Sequence, residues 1–243
     1  MVWKSYSTEE LEKIVNAFFS SDEVISWYEE RNIDKGEEKI LEKYLSKKGK
    51  VLDLMCGTGR VAIHLAKLGF EVVGVDISRK MITTAKKRMR EEGVEVKFVA
   101  EDAEKVTLPE EYFDYVLILE NSLEHIPSKK KRMKILEVAR NSLKKEGILI
   151  TSFHSYFFPP KIFLRLLLKR VRGEQSDLVF KIKGRKLFFH FFTPFEIKKD
   201  LKSAGFGLIG IEPRRAVLSN KFTSILISLF PYFFYSFYIA KRL

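Results

Sequence analysis

Three carboxylates and two glycines form the constellation in this 243-residue chain with the clearest chemical use. The stretch Val51-Leu52-Asp53-Leu54-Met55-Cys56-Gly57-Thr58-Gly59-Arg60 runs from an apolar segment through a glycine turn into an amphipathic segment, Arg60–Leu68. Glycine lets the backbone approach a ligand that a Cβ would exclude. A helix starting there offers free N–H groups and a positive dipole end to a carboxylate or phosphate. Asp76 closes a second apolar run, Glu71–Val75. A carboxylate in that place can accept both hydroxyls of a ribose, each charged hydrogen bond contributing about 1.5–3 kcal/mol. Asp102-Ala103 follows a third run, Val94–Val99, where an acid can accept an adenine amino group.

Two cofactors could use such a set. A dinucleotide fingerprint needs G-x-G-x-x-G, and Gly57-x-Gly59 is followed by Ala62, a substitution the fingerprint sometimes allows. Asp53 opposes that reading. Four residues before the first glycine, its charge is awkward beside a pyrophosphate and welcome beside an ammonium group. S-adenosylmethionine (SAM) brings both an ammonium and a sulfonium.

These segments, with FDYVLILENSLEHI at 113–126 and HFFTPFEIKKDLKSAGF at 190–206, resemble the class I SAM-dependent methyltransferases, especially the ubiquinone/menaquinone-type (type 11) group. The resemblance runs from about residue 35 to the end. It implies that the Gly57–Gly59 loop, with Cys56 and Thr58, holds the methionine moiety. Asp76 would take the ribose, Ile77 would lie against adenine, Asp102 and Ala103 would bind the adenine edge, and Glu120 would face the methionine end through its backbone. Cys56 and Arg60 depart from the usual pattern.

The elements that must position these groups read as an α/β alternation. Residues 8–46 are helical, opened by Ser7 or Thr8 as cap. Strands follow at Val51–Met55, Glu71–Val75, Val94–Val99, Tyr112–Leu119 and Gly147–Phe153, with helices at Arg60–Leu68, Ser78–Glu92 and Lys129–Leu143 between them. Pro159-Pro160 opens a helix to Arg172. Leu178–Ile182 and Leu187–Phe192 form a hairpin, and Thr193-Pro194-Phe195-Glu196 starts a further helix. Gly207–Glu212 and Phe233–Lys241 close the chain as strands. The expected fold is a Rossmann-like, seven-stranded, mostly parallel sheet with helices on both faces, its last strand antiparallel as the resemblance implies. One domain over 1–243 is expected, with N-terminal helices at 1–46 and a basic, aromatic cap insertion at 155–192.

Methyl transfer from a sulfonium is a direct displacement, in which positioning carries much of the barrier reduction. A base is needed only where the nucleophile must lose a proton. Candidates for acceptor contact or catalysis follow strands four and five: Asn121, Ser122, Glu124, His125, His154 and Tyr156. His125 and His154 are the candidate catalytic residues. His64 and His190 read as structural. No Cys/His cluster has metal-ligand spacing, so no metal is expected. The product would be S-adenosylhomocysteine.

The charge is uneven. Residues 1–120 carry 19 Lys/Arg and 24 Asp/Glu, and residues 121–243 carry 25 and 8. Within 155–192 nine Lys/Arg stand against Glu174 and Asp177, among many phenylalanines. This suits a small-molecule or amphiphilic acceptor with an anionic head, or unstacked RNA bases; a packed underside with a wet basic outer face is the plainer alternative. The leading expectation is therefore transfer to a small-molecule or lipid-like acceptor. Transfer to tRNA or rRNA, and a SAM-binding module without catalysis, are the competing readings. The Asn-Pro-Pro-Tyr signature of nucleic-acid amino methylases is absent after strand four. Phe222–Ala240 approaches membrane-span length but carries Thr223, Ser224, Ser228, Pro231 and Ser236. It reads as a buried helix and closing strand, with contact to a membrane surface as the alternative. The lone cysteine and an N-terminus without an apolar signal core lead to a cytoplasmic expectation.

Overall fold

A computed structural model describes residues 6–154, 164, 166–168, 177–213 and 235–243. Side-chain caps start the N-terminal helices. Ser7 accepts from the Glu10 N–H while Glu10 accepts from the Ser7 N–H, so α1 (Thr8–Phe19) opens on a full capping box. Ser21 caps α2 (Asp22–Glu29), and Asp34 caps α3 (Lys35–Tyr44). The alternation then runs β1 (Lys50–Leu54), α4 (Arg60–Lys67), β2 (Glu71–Asp76), α5 (Arg79–Glu91), β3 (Lys97–Ala100), β4 (Phe113–Ile118), α6 (Lys129–Ser142) and β5 (Leu143–Phe153). It continues with β6 (Asp177–Ile182), β7 (Arg185–His190), a helix here labelled α7 (Pro194–Ser203), β8 (Phe206–Pro213) and β9 (Ser236–Arg242).

Seven strands form one sheet in the order β3-β2-β1-β4-β5-β9-β8. β1 to β5 pair in parallel, and β9 is antiparallel to both neighbours, β5 and β8. The last strand of the chain is thus the reversed one. Helices cover both faces, which is what a buried parallel sheet requires. Ile40 and Leu41 of α3, Val61 and Leu65 of α4, and Ile82 and Ala85 of α5 pack on one side. Ile135, Leu136 and Ala139 of α6, with Ile197 and Leu201 of α7, pack on the other.

Some boundaries differ from expectation for local reasons. β3 starts at Lys97 rather than Val94, because the Val94 N–H bonds the Met89 carbonyl and the Val96 N–H bonds its sulfur, which closes α5 instead. β5 starts at Leu143 rather than Gly147, because Leu143 already pairs with Phe113 before a register shift. β9 starts at Ser236 rather than Phe233. Tyr156, most of the helix expected over Pro159–Arg172, and the helix expected from Phe222 lie outside the described residues; 164 and 166–168 are helical. No helix among the described residues is long and apolar enough to cross a membrane.

β6 and β7 form a separate hairpin through a two-residue turn, Lys183-Gly184, both left-handed at φ 50° and 71°. Its inner residues Leu178, Leu187, Phe189 and Phe191 pack against Phe18 of α1, Val24 and Ile25 of α2, and Met81 of α5. The described part of the segment expected as a cap, the β6–β7 hairpin, thus shares a core with α1 and α2. Phe180, Phe189 and Phe191 lie in that shared core.

A buried histidine clasps the hairpin to α7. His190, 4% exposed, lies 2.6 Å from Asp177 through Nδ1 and 3.0 Å from Glu196 through Nε2. Burial pushes its pKa down, but hydrogen bonds to two carboxylates outweigh it and the net shift is upward. A folded-state pKa above the unfolded value contributes stability that is complete below the ordinary histidine range and is lost as pH rises through the folded value. The urea midpoint of the wild type should therefore fall more between about pH 6 and about pH 9 than that of His190→Gln. Equal falls would show that the clasp carries no charge.

Candidate active site

The strand order reverses between β1 and β4. There, beyond the carboxyl ends of β1 to β4, lies a cavity of about 460 Å³. The loop after β1 makes its floor. Met55, Gly57 and Gly59 are all left-handed, at φ 61°, 55° and 73°. A Cβ on Gly59 would stand 2.5 Å from the Phe98 ring, so that glycine lets α4 pack close to β3. A Cβ on Gly57 would meet nothing within 4 Å, so its backbone lies bare against the cavity. Gly59 caps α4 with no side chain, which leaves that helix start open.

Carboxylates surround this bare backbone. Asp53 of β1 is 3% exposed, and burial pushes its pKa up to about 7 against the pull of Arg60. Asp76, at the end of β2, accepts from the Gly57 N–H at 2.9 Å through one oxygen and from the Ser78 N–H at 2.8 Å through the other. Burial raises its pKa and these two N–H groups oppose the rise. Asp102 accepts from the Glu104 N–H at 3.1 Å and so closes the turn after β3. Glu120 and Asn121 follow β4 in left-handed conformations at φ 52° and 59°, each costing on the order of 1 kcal/mol. The Glu120 carboxylate meets Arg31 at 2.9 Å and Arg60 at 3.3 Å, while Arg60 forms a bidentate pair with the fully buried Glu37.

The N-terminal helices close the cavity from above. Thr58 Oγ1 donates to the Tyr28 carbonyl, and Ser78 Oγ to that of Phe19, so α1 and α2 are fastened to the cofactor loops themselves. Lys131 of α6 bridges Glu12 of α1 and Glu104. Val15, Asn16, Phe19 and Tyr28 then face the cavity. Burial and the Glu120 charge push Tyr28 up to about 12, so its hydroxyl keeps its proton.

The structure brings Asp53, Cys56, Gly57, Thr58, Asp76, Ile77, Asp102, Ala103 and Glu120 to one cavity, and Gly59 supports them from behind. Ser122 and His125 border it on the β4 side. Asn121, Glu124 and His154 stand outside its lining. Glu124, fully buried, accepts from the His154 N–H at 2.6 Å and meets Nδ1 at 2.7 Å, and Asn121 Nδ2 lies 3.2 Å from Nε2. Burial pushes the His154 pKa down, Glu124 outweighs it, and the ring sits as a brace beneath the turn after β4. His64 lies 3.9 Å from Glu38, away from the cavity. Phe19, Tyr28, Glu12, Lys131 and the Glu37–Arg60 pair were not marked as site residues by the sequence. The adjacent rings Phe18-Phe19 at the end of an amphipathic helix were the available signal: Phe18 enters the core and Phe19 faces the cavity.

These residues fit SAM. The cavity offers buried acids to a cationic ligand, and at Gly57 a backbone with no side chain in the way. Acidic lining residues number six (Glu12, Asp53, Asp76, Asp102, Glu104, Glu120) against Arg60 and Lys131.

Two outcomes follow. Asp76→Ala should weaken S-adenosylhomocysteine binding more than about tenfold while the far-ultraviolet spectrum is kept, since the ribose acceptor is lost; unchanged calorimetric affinity would refute that assignment. A carboxyl that ionises near 7 should also make affinity rise with pH through that region, because only the ionised form attracts the ligand's ammonium. Asp53→Asn should flatten the rise, and a flat wild-type profile would contradict it.

Comparison with known proteins bears on the same residues. The family described as "Methyltransferase domain" matches residues 51–147. YqeM of Bacillus subtilis, assigned by its name to the methyltransferases, is 35% identical over 125 residues, 51% of this chain and 50% of that protein. The chain thus spans about half the length of that curated relative. A ubiquinone biosynthesis O-methyltransferase of Coxiella burnetii is 30% identical over 176 residues, covering 71% of this chain and 70% of the relative. The crystal structure of the PH0226 protein of Pyrococcus horikoshii, 25% identical, superposes with a TM-score of 0.67 and covers 98% of this chain and 100% of its own. By this extended match, joined to the glycine loop and its strand-end acids, the chain belongs to the class I SAM-dependent methyltransferases.

Proposed function

We propose that this chain transfers a methyl group from SAM to a small-molecule acceptor. The observation that carries the reading is the roofed cavity itself. Its floor is the loop after β1 with Asp53, Asp76 and Asp102, and its roof is α1 and α2, enclosing about 460 Å³. When bound, SAM supplies a sulfonium methyl whose carbon–sulfur electrons return to sulfur as the acceptor's lone pair forms the new bond. Asp53 would hold the ammonium, Asp76 the ribose and Asp102 the adenine edge. Glu120, held by Arg31 and Arg60, fixes the wall beside the methionine end. Phe19, Tyr28, Ser122 and His125 line the side left for the acceptor.

The charge pattern supports a small acceptor over a polyanion. Among the described basic residues of the C-terminal half only Lys131 lines the cavity, and Lys181, Lys183, Arg185 and Lys186 of the hairpin are exposed outside it. Inside, acids outnumber bases, and an anionic head would be repelled. The Coxiella burnetii relative, named an O-methyltransferase of ubiquinone biosynthesis, agrees with this class.

Incubation with methyl-labelled SAM and a cell extract, followed by separation into RNA, protein, organic-soluble and small-molecule fractions, tests the reading. Label should appear in the organic or small-molecule fraction. Label in nuclease-sensitive RNA would make the basic exterior a nucleic-acid surface and overturn the acceptor class. SAM binding with no label in any fraction would mark a binding module without catalysis.

A further inference from the structure

The acceptor side of the cavity carries rings in a row. Tyr28 and Phe19 centre 6.1 Å apart, and Phe19 and His125 centre 5.3 Å apart. Phe189 of the hairpin backs His125 at 4.6 Å. The His125 Nδ1 lies 2.9 Å from the Phe188 carbonyl oxygen. A carbonyl only accepts, so Nδ1 carries the proton and Nε2 keeps its lone pair. No described residue bonds Nε2, and the ring borders the cavity. Burial pushes the pKa down to about 4 against the Phe188 hydrogen bond, so the ring is neutral at ordinary pH. His154 differs on each count: its Nδ1 meets a carboxylate and its Nε2 meets Asn121.

We propose that His125 sets the chemical class of the acceptor: an uncharged molecule whose nucleophilic oxygen or nitrogen carries a hydrogen and donates it to Nε2. The proposal rests on the methyl-transfer reading above and names its substrate class. A neutral Nε2 with a fixed lone pair accepts a hydrogen bond and offers nothing to a carboxylate or phosphate oxygen. The tilted rings of Phe19 and Tyr28 give apolar contact, and the acidic lining repels anions. The proton has a place to go. As the nucleophile forms its new bond, its O–H or N–H becomes strongly acidic, and a weakly basic imidazole is sufficient to take that proton late in the reaction. The resulting imidazolium is disfavoured by burial and returns the proton to water. His125 is on this account a catalytic residue.

Two measurements on the full chain test this. Nitrogen-15 NMR of the histidine rings should show His125 protonated at Nδ1 and bare at Nε2 from about pH 5 to about pH 8. An Nε2-protonated ring, or one that titrates in the ordinary histidine range, would overturn the proposal. His125→Asn then keeps an amide N–H in the place of Nδ1 and removes Nε2. With labelled SAM and the labelled extract fraction as acceptor pool, the wild-type product should hold its methyl in mild alkali, as an ether or N-methyl group does. The variant should lose more than about 100-fold in initial rate, with S-adenosylhomocysteine affinity within about twofold. A methyl ester released by alkali, or a variant rate within about threefold, would sink the assignment of class. Absence of S-adenosylhomocysteine binding by the wild type would instead sink the cofactor reading.

Discussion

The hydrogen bond from the Gly57 N–H to Asp76 is the contact on which the rest of the site depends. It joins the loop after β1 to the end of β2 and sets the distance between the bare backbone and the carboxylate proposed to take the ribose. Both ends of it need special conditions. Gly57 must take a left-handed turn with no side chain above it, and Asp76 must keep a charge in a buried place. The second N–H, from Ser78, makes that charge tolerable and also starts α5. A strand end, a helix start and the place proposed for the ribose are thus joined at one carboxylate.

A chain of net charge +12 keeps an acidic cavity. The separation is physical. Lysines reach water from the helix and hairpin exteriors, where a charge is easily hydrated. The acids at the strand ends are held by backbone N–H groups and by two arginines. Arg60 has the most demanding place, between Glu37, Glu120 and Asp53; removing one partner of such a buried network typically costs about 3–5 kcal/mol. The same arginine ties α3 to the turn after β4, and Arg31, which follows α2 and pairs with Glu120 of that turn, stacks near Trp27 and Tyr28. The roof over the cofactor and the wall beside it are therefore one connected piece.

Much of this was legible in the sequence where the information is local. A glycine turn after a buried strand, an acid at each strand end and a Thr-Pro-x-Glu helix start each specify their structure within a few residues, and all are found. The roof was not legible. Phe18 and Phe19 are adjacent and chemically alike, and only the seating of α1 on the hairpin sends one inward and the other to the cavity. His125 and His154 follow neighbouring strands and looked alike as candidates. What separates them is which polar group stands behind each ring, Phe188 carbonyl or Glu124 carboxylate, and those partners lie 63 and 30 residues away. The basic excess was visible, but that the cavity lining holds six acids against Arg60 and Lys131 depends on which faces the helices bury.

The most direct test of the account is thermal denaturation of the full chain with S-adenosylhomocysteine or with NAD. Asp53 and Asp76 around a bare Gly57 should give stabilisation that grows with S-adenosylhomocysteine concentration and none with NAD, as mass action on the folded state requires. Stabilisation by NAD alone would show that the glycine turn cradles a pyrophosphate, and would contradict the role given to every carboxylate in the site.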